Sequence, residues 1–224
     1  MNLRPGVCVK VVSIRIQSEG KQMFRKIMWA LALCVAQFSA FAEVAPEAFM
    51  QQLSTEVIDA VKSDKAIQAG DVGRIRTLVD SKIVPNVNLQ RMVVKSVGPQ
   101  WRSASPEQQK RLTEEFKTYL INTYAGALTQ VKDQSVKLRP MRAGTSPNEV
   151  VVGTDVVGKG EPIQLDYRLE KAGDTWKIFD FNVLGLWATE SFRSQFSRDL
   201  SSGGIDALID RLAEKNKAIA GSKS

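Results

Sequence analysis

Histidine is absent from all 224 residues of this chain, and cysteine occurs twice, at Cys8 and Cys34. The first absence removes the commonest general base and the commonest metal ligand. The second leaves nothing beyond residue 34 that could form a disulfide, a thiolate nucleophile or a cysteine metal site. Serine–histidine and cysteine–histidine catalysis are excluded, and neither a metal nor a cofactor is expected. No GxSxG, P-loop or dinucleotide fingerprint occurs, and no repeat is visible. No apolar run reaches the roughly 20 residues that a membrane-spanning helix needs. Charge of one sign is also scarcer than it first looks. The formal net charge is +7, but residues 1–42 hold six of the 31 Lys/Arg and one of the 24 Asp/Glu. The remainder carries a net of +2, so the electrostatic case for a nucleic-acid partner falls away.

The N-terminus carries an address. Arg25 and Lys26 form a short positive region, Ile27 to Ala36 is uncharged and apolar, and Ala40-Phe41-Ala42 is an A-x-A cleavage site before Glu43. This is the three-part pattern of a secretory signal. Residues 23–42 are expected to be a cleavable signal peptide. Met23 is then the natural start, and 1–22 a misassigned extension. Leu33 is too large to precede a lipid-modified cysteine at Cys34. What folds is expected to be one soluble, exported domain over 43–217, with a flexible tail at 218–224.

Periodicity divides that domain into helices and strands. Pro46 suits a first helical position, and Phe49, Leu53, Val57 and Val61 form an apolar stripe to about Lys62. Asp71 caps a helix through Val84, stopped by Pro85; Asn88 to Val97 is another, ended by Gly98-Pro99. Ser105-Pro106-Glu107-Gln108 is a capping box. It opens a long amphipathic helix to about Gln130 along Leu112, Phe116, Leu120, Tyr124 and Leu128. The period then drops to two. Val136–Met141, Val150–Val157, Ile163–Glu170 and Trp176–Leu184 read as four strands joined by short turns. Helix returns from Trp187 to Ser201, breaks at Gly203-Gly204, and resumes to about Lys217. Helices, then strands, then helices argue for α+β: helices on one face of a four-stranded antiparallel sheet.

Catalytic signals are weak. Asp155, Asp166 and Asp180 fall on strands. Asp166 reads as a surface charge, and Asp180, between Phe179 and Phe181, as a buried hydrogen bond or ion pair. Composition and spacing alone describe an exported α+β domain without a visible active site.

One run says more. Val97-Gly98-Pro99-Gln100-Trp101-Arg102-Ser103-Ala104-Ser105-Pro106-Glu107-Gln108-Gln109-Lys110, then Phe116 and Thr123-Tyr124-Ala125, resembles the signature of the Mla-type phospholipid-binding proteins, the toluene-tolerance auxiliary family. Trp176-Lys177-Ile178, Phe192-Arg193-Ser194-Gln195-Phe196, Gly204-Ile205-Asp206 and Leu208-Ile209 continue the likeness in order, over about 45–217. Gly185-Leu186-Trp187-Ala188 and Arg91 depart from the family's pattern. The resemblance implies a periplasmic phospholipid carrier, not an enzyme. It implies shuttling between an outer-membrane lipoprotein–porin complex and an inner-membrane ABC-type complex, which maintains outer-membrane lipid asymmetry.

A carrier needs a dry cavity. It is expected between the curved sheet and the helices around Trp101, Phe116 and Leu120. Its candidate lining is Met92, Val93, Trp101, Phe116, Leu120, Tyr124, Val152, Leu165, Tyr167, Phe181 and Val183, each of which could equally pack the core. Arg102 and Arg168 are the head-group candidates, with plain surface arginines as the alternative. Two other classes stay open. A small cone-fold hydrolase or isomerase would show a buried Asp180 with a tyrosine partner. A periplasmic adaptor that binds only protein would have a solid core.

Overall fold

The computed structural model describes residues 44–221. The expected signal peptide, the extension before it and residues 222–224 lie outside the described residues. Helix α1 spans Pro46–Ser63 and begins on its proline, as the stripe predicts. Asp64 ends it and caps a short helix that the periodicity missed, α2 (Lys65–Gln68), by accepting from Ala66 N and Ile67 N. Asp71 accepts from Arg74 N and caps α3 (Val72–Leu78). The chain then runs through a π turn, Val79–Ile83, and a 3-10 turn, Val84–Asn86. The single helix expected through Val84 is therefore replaced by three hydrogen-bond patterns. Pro85 lies within the last of them and has no N–H to offer an α-helix.

Asn88 caps α4 (Leu89–Val97), and a 3-10 turn follows at Gly98–Ser103. The capping box of α5 (Pro106–Thr129) is complete. Ser105 N–H donates to Gln108 Oε1 at 2.8 Å, and Gln108 N–H donates to Ser105 Oγ at 3.2 Å. Strands β1 (Ser135–Ala143), β2 (Glu149–Val157), β3 (Ile163–Ala172) and β4 (Thr175–Val183) follow, then a two-residue β5 (Leu186–Trp187). The sheet has five strands, not four, in the order β1-β2-β3-β4-β5 with antiparallel neighbours. Leu184 and Gly185 make the extra turn, with φ of 52° and 88°. That is the primed hairpin pattern, carried here by Leu-Gly rather than the expected Asn-Gly. Helix α6 (Ala188–Gly221) breaks at Gly203 and Gly204 and then runs on to Gly221.

The register fixes which face is covered. Val152 pairs with Tyr167 and Tyr167 with Phe181; Thr154 pairs with Leu165 and Leu165 with Val183. These residues share the inner face. Bulges between Arg139 and Arg142 and between Arg168 and Leu169 bend the strands. Helix α1 packs Phe49, Met50 and Leu53 on Val152, Leu169, Trp176 and Ile178. A second cluster joins α1, α2, α3 and α5 through Val61, Ile67, Ile75, Leu78, Ile121 and Ala125.

The third and largest cluster belongs to α4, α5 and α6 and contains Met92, Val97, Trp101, Phe116, Phe192, Phe196 and Leu212. Phe116 stands edge-on to Phe192 and Phe196, at centroid distances of 5.1 and 5.9 Å. Gly98 has φ of 75°, and a Cβ there would lie 2.9 Å from Arg193 Nη2. Gln108 Nε2 donates to Asp206 at 2.9 Å. Each of these contacts joins one of the separated motifs to another.

Candidate functional site

An apolar cavity of about 650 Å³ lies between the inner face of the sheet and helices α1, α3 and α5. Met50, Leu53, Val57 and Ile58 face it from α1, and Val79, Ile83 and Val84 from the turns after α3. Leu120, Tyr124 and Leu128 face it from α5. Val136, Val156, Ile163, Leu165, Tyr167, Phe181 and Val183 form the sheet side. The lining on α5 runs from Lys117 to Leu128, about 16 Å of axis at ~1.5 Å per residue. Half of a bilayer's hydrocarbon core is roughly 15 Å, so the cavity is as long as one extended acyl chain.

Two phenols in the lining are partly or wholly withdrawn from water. Desolvation raises the phenol of Tyr124, with neighbouring Tyr119 adding to it. Desolvation also pushes the phenol of Tyr167 up to about 12, against a contact with Thr154 that pulls it down. Lys117 is the cation in the lining, and it is neutralised by Glu114 at 3.1 Å and Asp80 at 3.5 Å. Leu184 marks the rim. Among the described residues it is the one non-glycine with positive φ, and its side chain is 79% exposed. Such a conformation costs about 1–3 kcal/mol and persists where the surroundings impose it.

The structure divides the sequence candidates. Met92, Leu120, Tyr124, Leu165, Tyr167, Phe181 and Val183 all line the cavity. Val93, Trp101 and Phe116 do not; they are buried in the α4–α5–α6 cluster. Val152 is buried under α1. The cavity therefore sits along the C-terminal half of α5, not around Trp101 and Phe116. One stripe runs the whole length of α5, and the sequence does not reveal that its two halves face different neighbours. The stripe through Leu53 and Val57 showed that α1 has an inward face, but not that this face borders the cavity. The contribution of Val79, Ile83 and Val84 was hidden by the change of helix type.

The two arginines also separate. Arg102 is exposed on the Gly98–Ser103 turn and is not part of the lining. Arg168 follows Tyr167 on β3 and so points to the opposite face. There it pairs with Asp180 at 2.8 Å and Glu190 at 3.4 Å, and lies over the Trp187 ring at 3.7 Å. Asp180 is fully buried. Its carboxylate accepts from Arg168, from Thr189 Oγ1 at 2.7 Å and from Thr189 N–H at 3.1 Å. These partners tie the start of α6 to β4, and no tyrosine is among them. The arrangement expected of a cone-fold enzyme is not the one this aspartate makes.

A polar cleft of about 550 Å³ lies elsewhere, among Asp71, Arg76, Glu115, Asn122 and Asn216. Its amides pair internally: Asn122 Nδ2 donates to Asn216 Oδ1 at 3.2 Å, and Asn216 Nδ2 to Glu115 Oε2 at 2.8 Å. Among the described residues no cluster of His, Cys, Asp and Glu could hold a metal ion, and no helix is long and apolar enough to cross a membrane.

Comparison with known proteins agrees with this geometry. Residues 51–214 match the family described as MlaC protein. The chain belongs to the MlaC family. It is 24% identical over 198 residues to the intermembrane phospholipid transport system binding protein MlaC of Haemophilus influenzae, covering 87% of this chain and 92% of that one. It is 27% identical over 169 residues to the toluene tolerance protein ttg2D of Pseudomonas putida, covering 74% and 78%. A solved phospholipid-binding protein from Ralstonia solanacearum, in complex with a phospholipid, is similar in structure at a TM-score of 0.75 and 38% identity. That match covers 79% of this chain and 99% of the other. Of the motifs that resemble the MlaC family's, those around Gly98–Lys110 and Phe192–Ile209 lie in the helical scaffold beside the cavity, while Tyr124, Ala125 and Ile178 from the others stand in its wall.

Proposed function

We propose that this chain is a periplasmic phospholipid carrier. It takes lipid between an outer-membrane lipoprotein–porin complex and an inner-membrane ABC-type complex, and so helps keep the outer leaflet asymmetric. The cavity carries this reading. Burying hydrocarbon is worth about 0.8 kcal/mol per CH₂, so two ordinary acyl chains left in water cost on the order of 20 kcal/mol. Lipid crosses an aqueous gap only when its chains are shielded, and the apolar lining of the cavity between sheet and helices supports that role. Its volume lies within the usual range of ligand sites, about 300–1,000 Å³. The phospholipid held by the Ralstonia protein supports the same ligand here.

Export belongs to the same proposal. The signal at residues 23–42 delivers the chain, and cleavage after Ala42 leaves it without cysteine. The test is to purify the exported protein from a phospholipid-containing host, extract it with organic solvent and analyse the extract. Phospholipid in a fixed ratio to protein is expected. A protein that yields none, and takes up none from vesicles, overturns the reading.

A further inference from the structure

Within the wall of hydrocarbon, two hydroxyls lie side by side. Tyr167 lines the cavity. Thr154 is diagonal to it on the same face, since Val152 pairs with Tyr167 and Thr154 with Leu165. Thr154 is 1% exposed, and its Oγ1 is buried without a well-formed hydrogen bond. The phenol is the polar group beside it.

Each hydroxyl has one hydrogen to donate and lone pairs to accept. If the phenol donates to Thr154, the threonine hydrogen is left without an acceptor, and a buried unmet donor is costly. The reverse order moves the free hydrogen from the buried threonine to the phenol, which borders the cavity. Thr154 donates to the phenol oxygen, and the phenol hydrogen turns towards the cavity, where a ligand must accept it.

The position selects the acceptor. Tyr167 pairs with Phe181, Phe181 meets Tyr124 edge-on at 5.2 Å, and Tyr124 is 37% exposed. The half-buried Tyr167 thus neighbours a ring pair that reaches solvent, just inside the boundary of the cavity. In a glycerophospholipid with its head in water, the groups at that depth are the ester carbonyls that join glycerol to the acyl chains. A phosphate fits poorly, because its charge would be buried without a cation and Lys117 is already paired with two carboxylates. We propose that Tyr167, positioned by Thr154, donates a hydrogen bond to an acyl-ester carbonyl of the bound lipid and makes the protein prefer ester-linked over ether-linked phospholipids. This rests on the carrier reading given above.

The test is competition between diester and diether phosphatidylglycerols of equal chain length for the purified, delipidated protein. The native protein should prefer the diester by roughly three- to tenfold, the worth of one hydrogen bond. Tyr167→Phe should abolish the preference by lowering the diester's affinity to that of the diether, and Thr154→Val should weaken it. The infrared stretch of an isotope-labelled ester carbonyl should lie lower when bound to the native protein than when bound to Tyr167→Phe. Equal affinities in the native protein overturn this inference and leave the carrier reading intact. A preference that survives Tyr167→Phe also overturns it. Failure of both lipids to bind overturns both.

Discussion

Arg91 is a cation set between two carboxylates that would otherwise repel. Glu149 and Glu170 face each other across β2 and β3, and like charges directly opposite destabilise a sheet. The Arg91 guanidinium pairs with both and lies 3.6 Å over the Phe179 ring. Burial works against the ionised Glu149, but hydrogen bonds from Arg91 and Thr145 outweigh it and hold the carboxyl below its ordinary value. A depressed carboxyl contributes stability above its unfolded value, near 4.5, and loses it as pH falls through the folded one. Arg91→Met should therefore cost roughly 2–4 kcal/mol at neutral pH, and the difference from native should narrow below about pH 4.5. Denaturant titrations of both proteins across that range measure it. Tyr167 runs the other way. Its raised pKa of about 12 means that stability is intact below the unfolded value near 10 and falls as pH rises from there towards 12. One of the three tyrosines should ionise late in an absorbance titration. The sequence showed Arg91 only as a departure from the family's pattern. Its reason is the Glu149–Glu170 pair, and that pair exists only once the register is known.

At the scale of elements, local chemistry and the fold agree wherever a cap or a stripe decides the outcome. The box at Ser105–Gln108 set the start of α5 from sequence, and Ser105→Ala should cost about 1 kcal/mol by thermal or chemical unfolding. Gly98→Ala should cost more, roughly 1–3 kcal/mol, because a φ of 75° strains any residue with a Cβ, and the Arg193 guanidinium would have to shift aside as well. Along α5 the stripe told which face is inward but not what it faces. Phe116 is buried among other rings, while Leu120 and Tyr124 line the cavity. Hydrophobic periodicity is the same for a residue that packs a core and for one that lines a container. Leu120→Trp separates the two, since it should lower bound lipid at least several-fold with little loss of stability. The measurement is lipid per protein after purification, beside an unfolding curve. What sequence could not supply at this scale was non-local or atypical: the π and 3-10 turns before Val87, and the hairpin at Leu184-Gly185.

For the whole molecule, an empty cavity of this size is itself destabilising, and an occupant that binds only the folded state offsets it. Free ligand at a hundredfold excess over Kd adds about 2.7 kcal/mol. The delipidated protein should accordingly melt several degrees below the loaded one, and readdition of phospholipid should restore the difference in a concentration-dependent way. A melting temperature indifferent to lipid would contradict the carrier reading. The α+β class and the helix–strand–helix order were legible before the structure, because they depend on period and punctuation along the chain. The position of the cavity was not, because it depends on how far two layers stand apart.

The edges of the sheet bear on how such a molecule keeps company. Strand β1 forms one edge, and it carries Pro140, which has no N–H, and a bulge between Arg139 and Arg142. Strand β5 forms the other and pairs only with Asn182 and Val183 of β4, whose edge further along is engaged by Asn88 N–H on the Ile178 carbonyl at 2.8 Å. Neither presents an unbroken row of free backbone groups on which a foreign strand could zip. The fold therefore offers little at those edges for strand addition by its own copies or by other proteins. Its encounters are left to side chains, and contacts of that kind can be made, used and abandoned many times over.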